Sequence, residues 1–299
     1  MSVIIVEKDL VDIRLDKFLC QKFDISFGLS QKIIREKKVK VNSKKVDAAY
    51  KIKASDRIEI FTDLKNRIIL QKVKPQISDK KLEDFLKNII FEDENLVAIN
   101  KPSGLAVQGG SGIEISVDDF ISKKKWQLVH RLDKDTSGIL LIAKNQKTAD
   151  FLTEQFRSKT IQKTYLALVS GTLKKDSGTI NIPLKKKFVQ KNEKVYPDFV
   201  EGKEAITHYE LLKNFSNYAL LKLNPITGRT HQLRVHLKEI GHAIINDVKY
   251  GGGVVLRKDL CKRLCLHAYK IEIADYFGKK LEIKTDRPEF VLGFNALLT

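Results

Sequence analysis

Nine consecutive residues, 130–138, carry side chains well suited to chemistry, and they read HRLDKDTSG. Apolar runs flank them at residues 128–129 and 139–143, so we expect a turn or strand end that projects from a buried sheet. Functional groups often occupy such positions. Cations beside an Asp lower its pKa and keep it ionised, and an ionised carboxylate can act as a nucleophile or a general base. Asp133 is therefore a candidate catalyst.

The same residues have two other interpretations. Asp, Thr, Ser and Gly all favour tight turns, which need no function. Asp133, Asp135, Ser137 and Gly138 also fall at the first, third, fifth and sixth positions of the calcium-binding loop. However, the twelfth position, which needs a bidentate Glu, holds Lys144, and the flanking runs are β-like rather than helical. The pattern therefore favours a turn or a catalytic Asp over calcium.

The HRLDKDTSG stretch resembles the signature of the RluA-type pseudouridine synthases. Residues 100–104 read NKPSG and precede a glycine-rich loop, as is common in that family, and this version is closest to the RluC/RluD branch. The resemblance implies that Asp133, the Asp of HRLD, is the catalyst. It also implies that Arg131 contacts phosphate or helps to extrude the base. His130 and Thr136 would then shape the loop around the substrate.

The letters RLDK occur a second time, at residues 14–17. This copy lacks the His and the Thr-Ser-Gly, and Phe18 and Leu19 follow it. We therefore predict that Asp16 is a surface residue in the first turn of a helix.

Two further stretches match the same family. Tyr165 lies in KTYLALVSG, where apolar residues on both faces predict an internal strand and a core aromatic. The resemblance instead places this Tyr in the active site, where its ring can stack on an extruded base. The stretch TGRTHQLRVHL contains Arg229, His231 and Arg234. The resemblance implies that Arg234 pairs with Asp133 and that the other two bind substrate.

Periodicity alone describes the second stretch as a helix. Leu233, Leu237 and Ile240 recur at helical spacing, Thr230 is a suitable N-cap, and Gly241 suits the C-terminal end. Arg234 lies off this apolar stripe, so the pattern by itself is compatible with an Arg on a helix surface.

The N-terminal residues predict a small basic module. Residues 14–23 and 30–37 have helical patterns, with Ser30 as the second N-cap, and residues 39–46 and 57–61 alternate like strands. The module resembles the small RNA-binding fold shared with a ribosomal small-subunit protein and tyrosyl-tRNA synthetases, with Lys37 and Ser43 where that family usually has Gly. A solvated helix face is the alternative explanation of its cations. The predicted RNA-binding residues are Lys32, Arg35, Lys37, Lys38, Lys40 and Lys44.

We predict three segments: the basic module at 1–61, a polar, Lys-rich linker with Pro75 at 62–81, and a catalytic domain at 82–299. Short strands with few helices indicate an α+β fold rather than regular βαβ alternation. The resemblance implies a pseudouridine synthase domain with a mixed, mainly antiparallel sheet. The Lys-rich residues 185–191 are weakly patterned and could form a loop that faces RNA.

The composition fits an RNA-directed protein. The formal charge of +18 favours polyanion binding through phosphate contacts, although a basic proteome would also produce it. The three cysteines lack Cys-x-x-Cys spacing, which predicts reduced thiols and no structural zinc. No apolar run is long enough to cross a membrane, so we expect a cytoplasmic protein, and we expect a monomer.

The resemblance implies isomerisation of uridine to pseudouridine, most simply in large-subunit (23S) rRNA or the assembling large ribosomal subunit. This reaction consumes no water, oxidant or added group, so we expect neither cofactor nor metal. A hydrolytic glycosidase generally needs two carboxylates, whereas one essential Asp suits isomerisation. The sequence leaves open whether Asp133 attacks the sugar or removes a sugar proton. A tRNA-directed or dual-specificity synthase and a noncatalytic ribosome-assembly factor are the alternatives.

Overall fold

The computed structural model describes residues 2–7, 10–23, 25, 27–62, 77–110, 112–189, 192–252, 256–257 and 261–292. The chain divides into two compact units, Met1–Gln76 and Ile77–Thr299. Most of the predicted linker, residues 63–76, lies outside the described residues. The first helix of the second unit begins at Asp79, within the predicted linker, because the Ser78 side chain caps it and accepts a hydrogen bond from the Lys81 backbone N–H.

The first unit packs two helices against a small antiparallel sheet. The sheet order is β1-β3-β2, and apolar residues from every element form one buried core. The second helix begins three residues before the predicted cap Ser30, because Leu29 also packs into this core. Ser30 is buried in the helix, and its hydroxyl accepts a hydrogen bond from the Cys20 thiol. The elements are β1 (Ser2–Ile5), α1 (Leu15–Phe23), α2 (Phe27–Arg35), β2 (Val39–Val41) and β3 (Arg57–Ile60).

The second copy of RLDK has a structural role. Asp16 lies in the first turn of α1, as predicted, but it is fully buried rather than on the surface. Its carboxylate accepts hydrogen bonds from the Arg14 guanidinium, the Gln31 amide and the Lys17 backbone N–H. Burial opposes ionisation, but these hydrogen bonds outweigh it and lower the pKa of Asp16.

Two turn residues of the first unit adopt the backbone conformation that favours glycine. Lys37 and Ser43 both have a φ of 62°. They are the two positions where the resembling family usually has Gly. An L-residue is strained there because its Cβ crowds the backbone.

The second unit is built on a sheet of ten strands among the described residues. The central order is β4-β5-β7-β14-β8-β13-β12-β9, with β6 paired to β7 and β15 paired to β14. Among the described strands of this sheet, β7 and β14 are the one pair in parallel register, so the sheet is mixed and mainly antiparallel, which confirms the predicted fold class. The strands are β4 (Ile89–Glu92), β5 (Leu96–Lys101), β6 (Gln127–Leu128), β7 (Ser137–Ala143), β8 (Gln162–Ser170), β9 (Ser177–Asn181), β12 (Ile206–Asn214), β13 (Tyr218–Pro225), β14 (Leu266–Tyr276) and β15 (Lys279–Lys284).

Helices cover both faces of the central strands. Along β7, Ile139 and Leu141 pack into one core with α5, while Leu140 and Ile142 pack into another with α4, because alternate side chains of a strand point to opposite faces. In the described part of the chain, no helix is long and apolar enough to cross a membrane. The helices are α3 (Asp79–Leu86), α4 (Val117–Ser122), α5 (Gln146–Arg157), α6 (Gln232–Glu239) and α7 (Glu289–Leu292).

Residues 185–189 of the Lys-rich stretch form a strand rather than the predicted loop, and residues 190–191 lie outside the described residues. The stretch contributes to a hairpin of β10 (Leu184–Val189) and β11 (Asn192–Pro197), whose strands pair in antiparallel register. Buried Leu184 and Val195 pack with Val235 of α6, and this contact explains why the segment is ordered as strands. Lys185 pairs with Glu201, and the Lys187 ammonium lies 3.1 Å from Asp198.

Candidate active site

Three motifs that are distant in sequence meet at one end of the central strands of the large sheet. Gly138 at the start of β7 lies opposite Ala268 of β14, and Ala268 lies opposite Tyr165 of β8. Tyr165 is in turn opposite Leu223, near the end of β13, from which the chain leads directly into α6. The sheet register therefore brings the HRLDKDTSG turn, the Tyr165 ring and the start of α6 to the same place.

Gly138 is required by the close approach of β7 to β14. Its φ is +108°, and a Cβ built there would lie 2.2 Å from the Ala268 carbonyl oxygen. Any side chain would push the two strands apart at the point where the turn enters the sheet.

A buried lysine fixes the turn that carries Asp133. Lys101 is fully buried, and its ammonium donates hydrogen bonds to the carbonyls of Pro102, Leu105 and Lys134 at 2.9, 2.8 and 3.0 Å. Burial lowers the pKa of Lys101 to about 8, against the opposing effect of nearby Asp135 and Asp133. In the sequence, Lys101 belongs to NKPSG, where a strand was predicted to end in a turn, but no pattern gave Lys101 itself a role.

The Asp133 carboxylate is largely buried and faces cations and N–H donors. Its Oδ2 lies 3.9 Å from Nη1 of Arg234, and its Oδ1 lies 4.0 Å from Nε2 of His231. It also accepts a hydrogen bond from the His231 backbone N–H. Burial raises the pKa of Asp133 and outweighs the opposing charges of Arg234 and Arg131. The ionised carboxylate is thus poorly stabilised, in contrast to Asp16.

Arg234 is buried rather than on the helix surface, and its tightest partner is Asp247. Its Nε and Nη2 donate to the two Asp247 oxygens at 2.8 and 2.7 Å, whereas Nη1 points toward Asp133 at the longer distance given above. Asp247 also accepts hydrogen bonds from the backbone N–H groups of Lys249 and Tyr250. This arrangement holds the guanidinium in one orientation. No pattern in the sequence predicted that Asp247 pairs with Arg234.

His231, not Thr230, is the N-cap residue of α6. Its φ of 53° is left-handed, and its side chain does not cap the helix. Instead, its Nδ1 lies 2.7 Å from the Tyr250 hydroxyl, which itself accepts a hydrogen bond from the Val195 N–H. Because that hydroxyl oxygen already accepts one hydrogen bond, its proton is best donated to Nδ1. A neutral His231 then carries its own proton on Nε2, the nitrogen that faces Asp133.

Hydrogen bonds of the buried Gln232 side-chain amide hold the loop before α6 in place. The Gln232 side chain accepts hydrogen bonds from the Thr227 hydroxyl and the Arg229 N–H and donates to the Ile206 carbonyl and the Thr207 hydroxyl. Arg229 itself is exposed, and its Nε donates to the Glu204 carbonyl at 2.9 Å.

Three other residues in or beside the turn have structural contacts. The His130 ring stacks on Phe156, and its Nε2 accepts a hydrogen bond from the Leu141 N–H. Burial, with the charge of Lys163, lowers the pKa of His130 to about 3, so the ring is neutral. Thr136 is buried, and its N–H closes the turn onto the Asp133 carbonyl. The two ring nitrogens of His267 form hydrogen bonds with the hydroxyls of Ser137 and Thr285.

These groups surround a cavity of about 490 Å³, within the range of pockets that hold small organic groups. Asp133, Arg131, Tyr165 and Arg234 all line it. Burial and the charge of Asp133 raise the pKa of Tyr165, so its hydroxyl is protonated. Among the described residues, no group of three or more His, Cys, Asp or Glu could hold a metal ion. The remaining cations of the cavity are Arg157, Lys159, Lys163 and Arg229.

The cations predicted for RNA binding lie on α2 and the following turn and strand. Most are exposed, but Lys38 and Lys40 are half-buried. The Lys38 ammonium lies 3.3 Å from Glu36, and the Lys40 ammonium lies over the Phe61 ring. The exposed cations are Lys32, Arg35, Lys37 and Lys44.

Comparison with known sequences agrees with both parts of this description. The family described as RNA pseudouridylate synthase matches residues 95–239, and the S4 domain matches residues 13–58. The chain belongs to the RNA pseudouridylate synthase family, and it is an enzyme that forms pseudouridine in RNA.

The similarity to individual relatives extends over nearly the whole chain. The protein named ribosomal large subunit pseudouridine synthase C from Buchnera aphidicola (subsp. Schizaphis graminum) is 35% identical, over 95% of this chain and 93% of its own length. Its namesake from Rickettsia bellii is 39% identical, over 93% and 95%. Among solved structures, human RNA Pseudouridylate Synthase Domain Containing 4 aligns with a TM-score of 0.60 and 26% identity, over 72% of this chain and 95% of its own.

Proposed function

We propose that this enzyme converts uridines of large-subunit (23S) rRNA into pseudouridine and that Asp133 is its catalytic residue. The names of the relatives support the rRNA target. The observation that carries the catalytic assignment is the environment of Asp133: a largely buried carboxylate in a cavity whose other charged side chains are cations. A catalytic Asp needs an ionised carboxylate that is incompletely stabilised, because a carboxylate with as many hydrogen bonds as Asp16 is a weaker nucleophile and a weaker base.

The cavity suits a uridine that has left its stack in the RNA. Tyr165 stacks on the uracil, and Arg234 holds the Asp133 carboxylate toward the sugar. Asp133 then attacks C1′ or removes a sugar proton, and the bond between C1′ and N1 breaks. The freed uracil turns and bonds to C1′ through C5. In this step C1′ releases the Asp133 oxygen, or the sugar regains its proton from Asp133, and the proton lost from C5 is balanced by the proton gained at N1.

The other residues bind and orient the RNA. Arg131 and Arg229 line the cavity and are exposed, so they contact phosphate or replace the extruded base. His231 directs its Nε2 proton to the Asp133 carboxylate, while His130 and Thr136 hold the turn. The exposed cations of the S4 domain bind phosphates without reading sequence. We also propose that the protein is a cytoplasmic monomer.

The test compares Asp133→Asn with the wild-type protein in a strain that lacks its own copy. Pseudouridines are mapped in 23S rRNA and in tRNA. We expect specific rRNA sites to depend on the wild-type chain and to disappear with Asp133→Asn, while RNA binding by the purified variant is retained. The matched control is Asp135→Asn, an exposed Asp two residues away, which should restore the sites. Unchanged modification by Asp133→Asn would refute the catalytic assignment, and dependence confined to tRNA would refute the rRNA target.

A further inference from the structure

The cavity contains a cation that the mechanism above does not use. Lys163 is half-buried on β8 and lines the cavity with Asp133 and Tyr165. Its backbone is held in place, because its carbonyl accepts a hydrogen bond from the Asn224 side chain at 3.1 Å. The ammonium is therefore presented to the cavity from a fixed strand rather than from a loop.

Three other basic side chains at the cavity wall have partners within the chain. Arg157 pairs with Glu154, the Lys159 ammonium lies 3.3 Å from Glu204, and the Arg229 guanidinium donates to the Glu204 carbonyl. In the part of the chain that the structure describes, the Lys163 ammonium has no carboxylate or hydrogen-bond acceptor within bonding distance. Burial and the charge of Lys159 lower the pKa of Lys163. A buried charge without a partner is costly, so an anionic ligand would relieve this cost.

The strand geometry indicates which anion fits. Lys163 and Tyr165 are two residues apart in β8, so their side chains lie on the same face, about 7 Å apart along the strand. A uracil stacked on Tyr165 carries its ribose and phosphates on one side, a comparable distance from the ring. We propose that Lys163 binds a backbone phosphate next to the extruded uridine. This inference rests on the proposed function and adds a phosphate-binding residue to its site.

The first test uses a synthetic RNA that carries one uridine mapped as a target. Lys163→Met should lower kcat/KM about 10- to 100-fold, mainly through KM, as expected for a lost charge-assisted hydrogen bond. Lys163→Arg keeps the charge and should retain most of the activity. The slope of log(kcat/KM) against log salt should become shallower by about 0.7–0.9 in Lys163→Met, which corresponds to one phosphate contact. The control is Lys174→Met, an exposed lysine that does not line the cavity.

A second measurement identifies the phosphate, and its first part uses only the wild-type enzyme. Single methylphosphonate linkages, which are neutral, replace each phosphate near the target uridine. We expect one linkage to lower kcat/KM of the wild-type enzyme at least tenfold and to have little further effect on Lys163→Met. The proposal is wrong if no linkage affects the wild-type enzyme, if the linkage penalties are equal in both proteins, or if Lys163→Met matches wild type. Conversion of the unmodified RNA by wild type upholds the proposed function in each of these cases.

Discussion

The substitution Asp247→Asn tests the part of the site that holds Arg234. Both carboxylate oxygens of Asp247 face N–H donors: Oδ2 accepts from Nε of Arg234, and Oδ1 accepts from its Nη2 and from the backbone of Lys249 and Tyr250. An Asn has nearly the same shape but replaces one oxygen with an NH₂ group. Whichever way the Asn amide is turned, its NH₂ group faces an N–H donor of Arg234, so the guanidinium loses one of its two hydrogen-bond acceptors.

The expected cost is large because the pair is buried. The side chains of Arg234 and Asp247 are only 4% and 1% exposed. Removing one partner of a buried ion pair costs about 3–5 kcal/mol of the free energy of unfolding. For a domain of this size, that cost lowers Tm by about 6–20 °C. The loosened Arg234 should also misplace Asp133, so we expect kcat to fall about 10- to 100-fold.

The matched control is an exposed ion pair of the same length. The Lys222 ammonium lies 2.8 Å from Glu210, and these side chains are 38% and 52% exposed. Glu210→Gln should cost less than about 1 kcal/mol. Thermal and urea unfolding of both variants at one pH and salt concentration measure the difference, and kcat is measured where both are folded. Equal losses of stability in the two variants would refute the argument from burial.

Three further predictions follow from the described contacts. Burial raises the pKa of Asp133 in the folded chain above its ordinary value of 3.8. Between pH 3.8 and the pKa of the folded chain, the folded chain binds more protons than the unfolded chain, so its stability falls as pH rises. Asp133→Asn should therefore raise Tm at neutral pH, with a gain that shrinks in acid; thermal scans that show the same gain at every pH contradict this. Tyr250→Phe removes the proton donor to Nδ1 of His231, so steady-state kinetics should show kcat about tenfold lower with KM little changed; an unchanged kcat contradicts the assigned tautomer. Lys37→Gly should stabilise the first unit by about 0.5–1 kcal/mol because it relieves a left-handed backbone, whereas Lys38→Gly, at a position without positive φ, should destabilise it in the same urea titration.

The two RLDK stretches show how much the neighbouring residues in the chain can predict about an Asp. Each stretch places an Asp two residues after an Arg, and the role of each Asp was predicted from these neighbours. Asp16 is buried and fully hydrogen-bonded, and its pKa is lowered. Asp133 is buried with looser partners, and its pKa is raised. Arg14 of the first motif hydrogen-bonds its own Asp, whereas the cation that most opposes the effect of burial on Asp133 is Arg234, which is far along the chain and invisible to the motif.

Local sequence was enough to predict part of the fold and the motifs. Alternation and periodicity predicted the helices of the first unit, α6 and internal strands such as β7 and β8, and the resemblance named the family, because these signals depend on residues close together in the chain. The caps were less predictable: α2 begins before Ser30, and His231 replaces Thr230, because packing decided where each helix starts.

Only the tertiary structure decided which side chains meet. The register of β7, β14 and β8 sets the HRLDKDTSG turn beside Tyr165, and no local pattern specifies that register. The same is true of the partner of Arg234 and of the environment of Lys163. Burial and long-range contact set the charge state of a group, and both arise only when distant segments pack together.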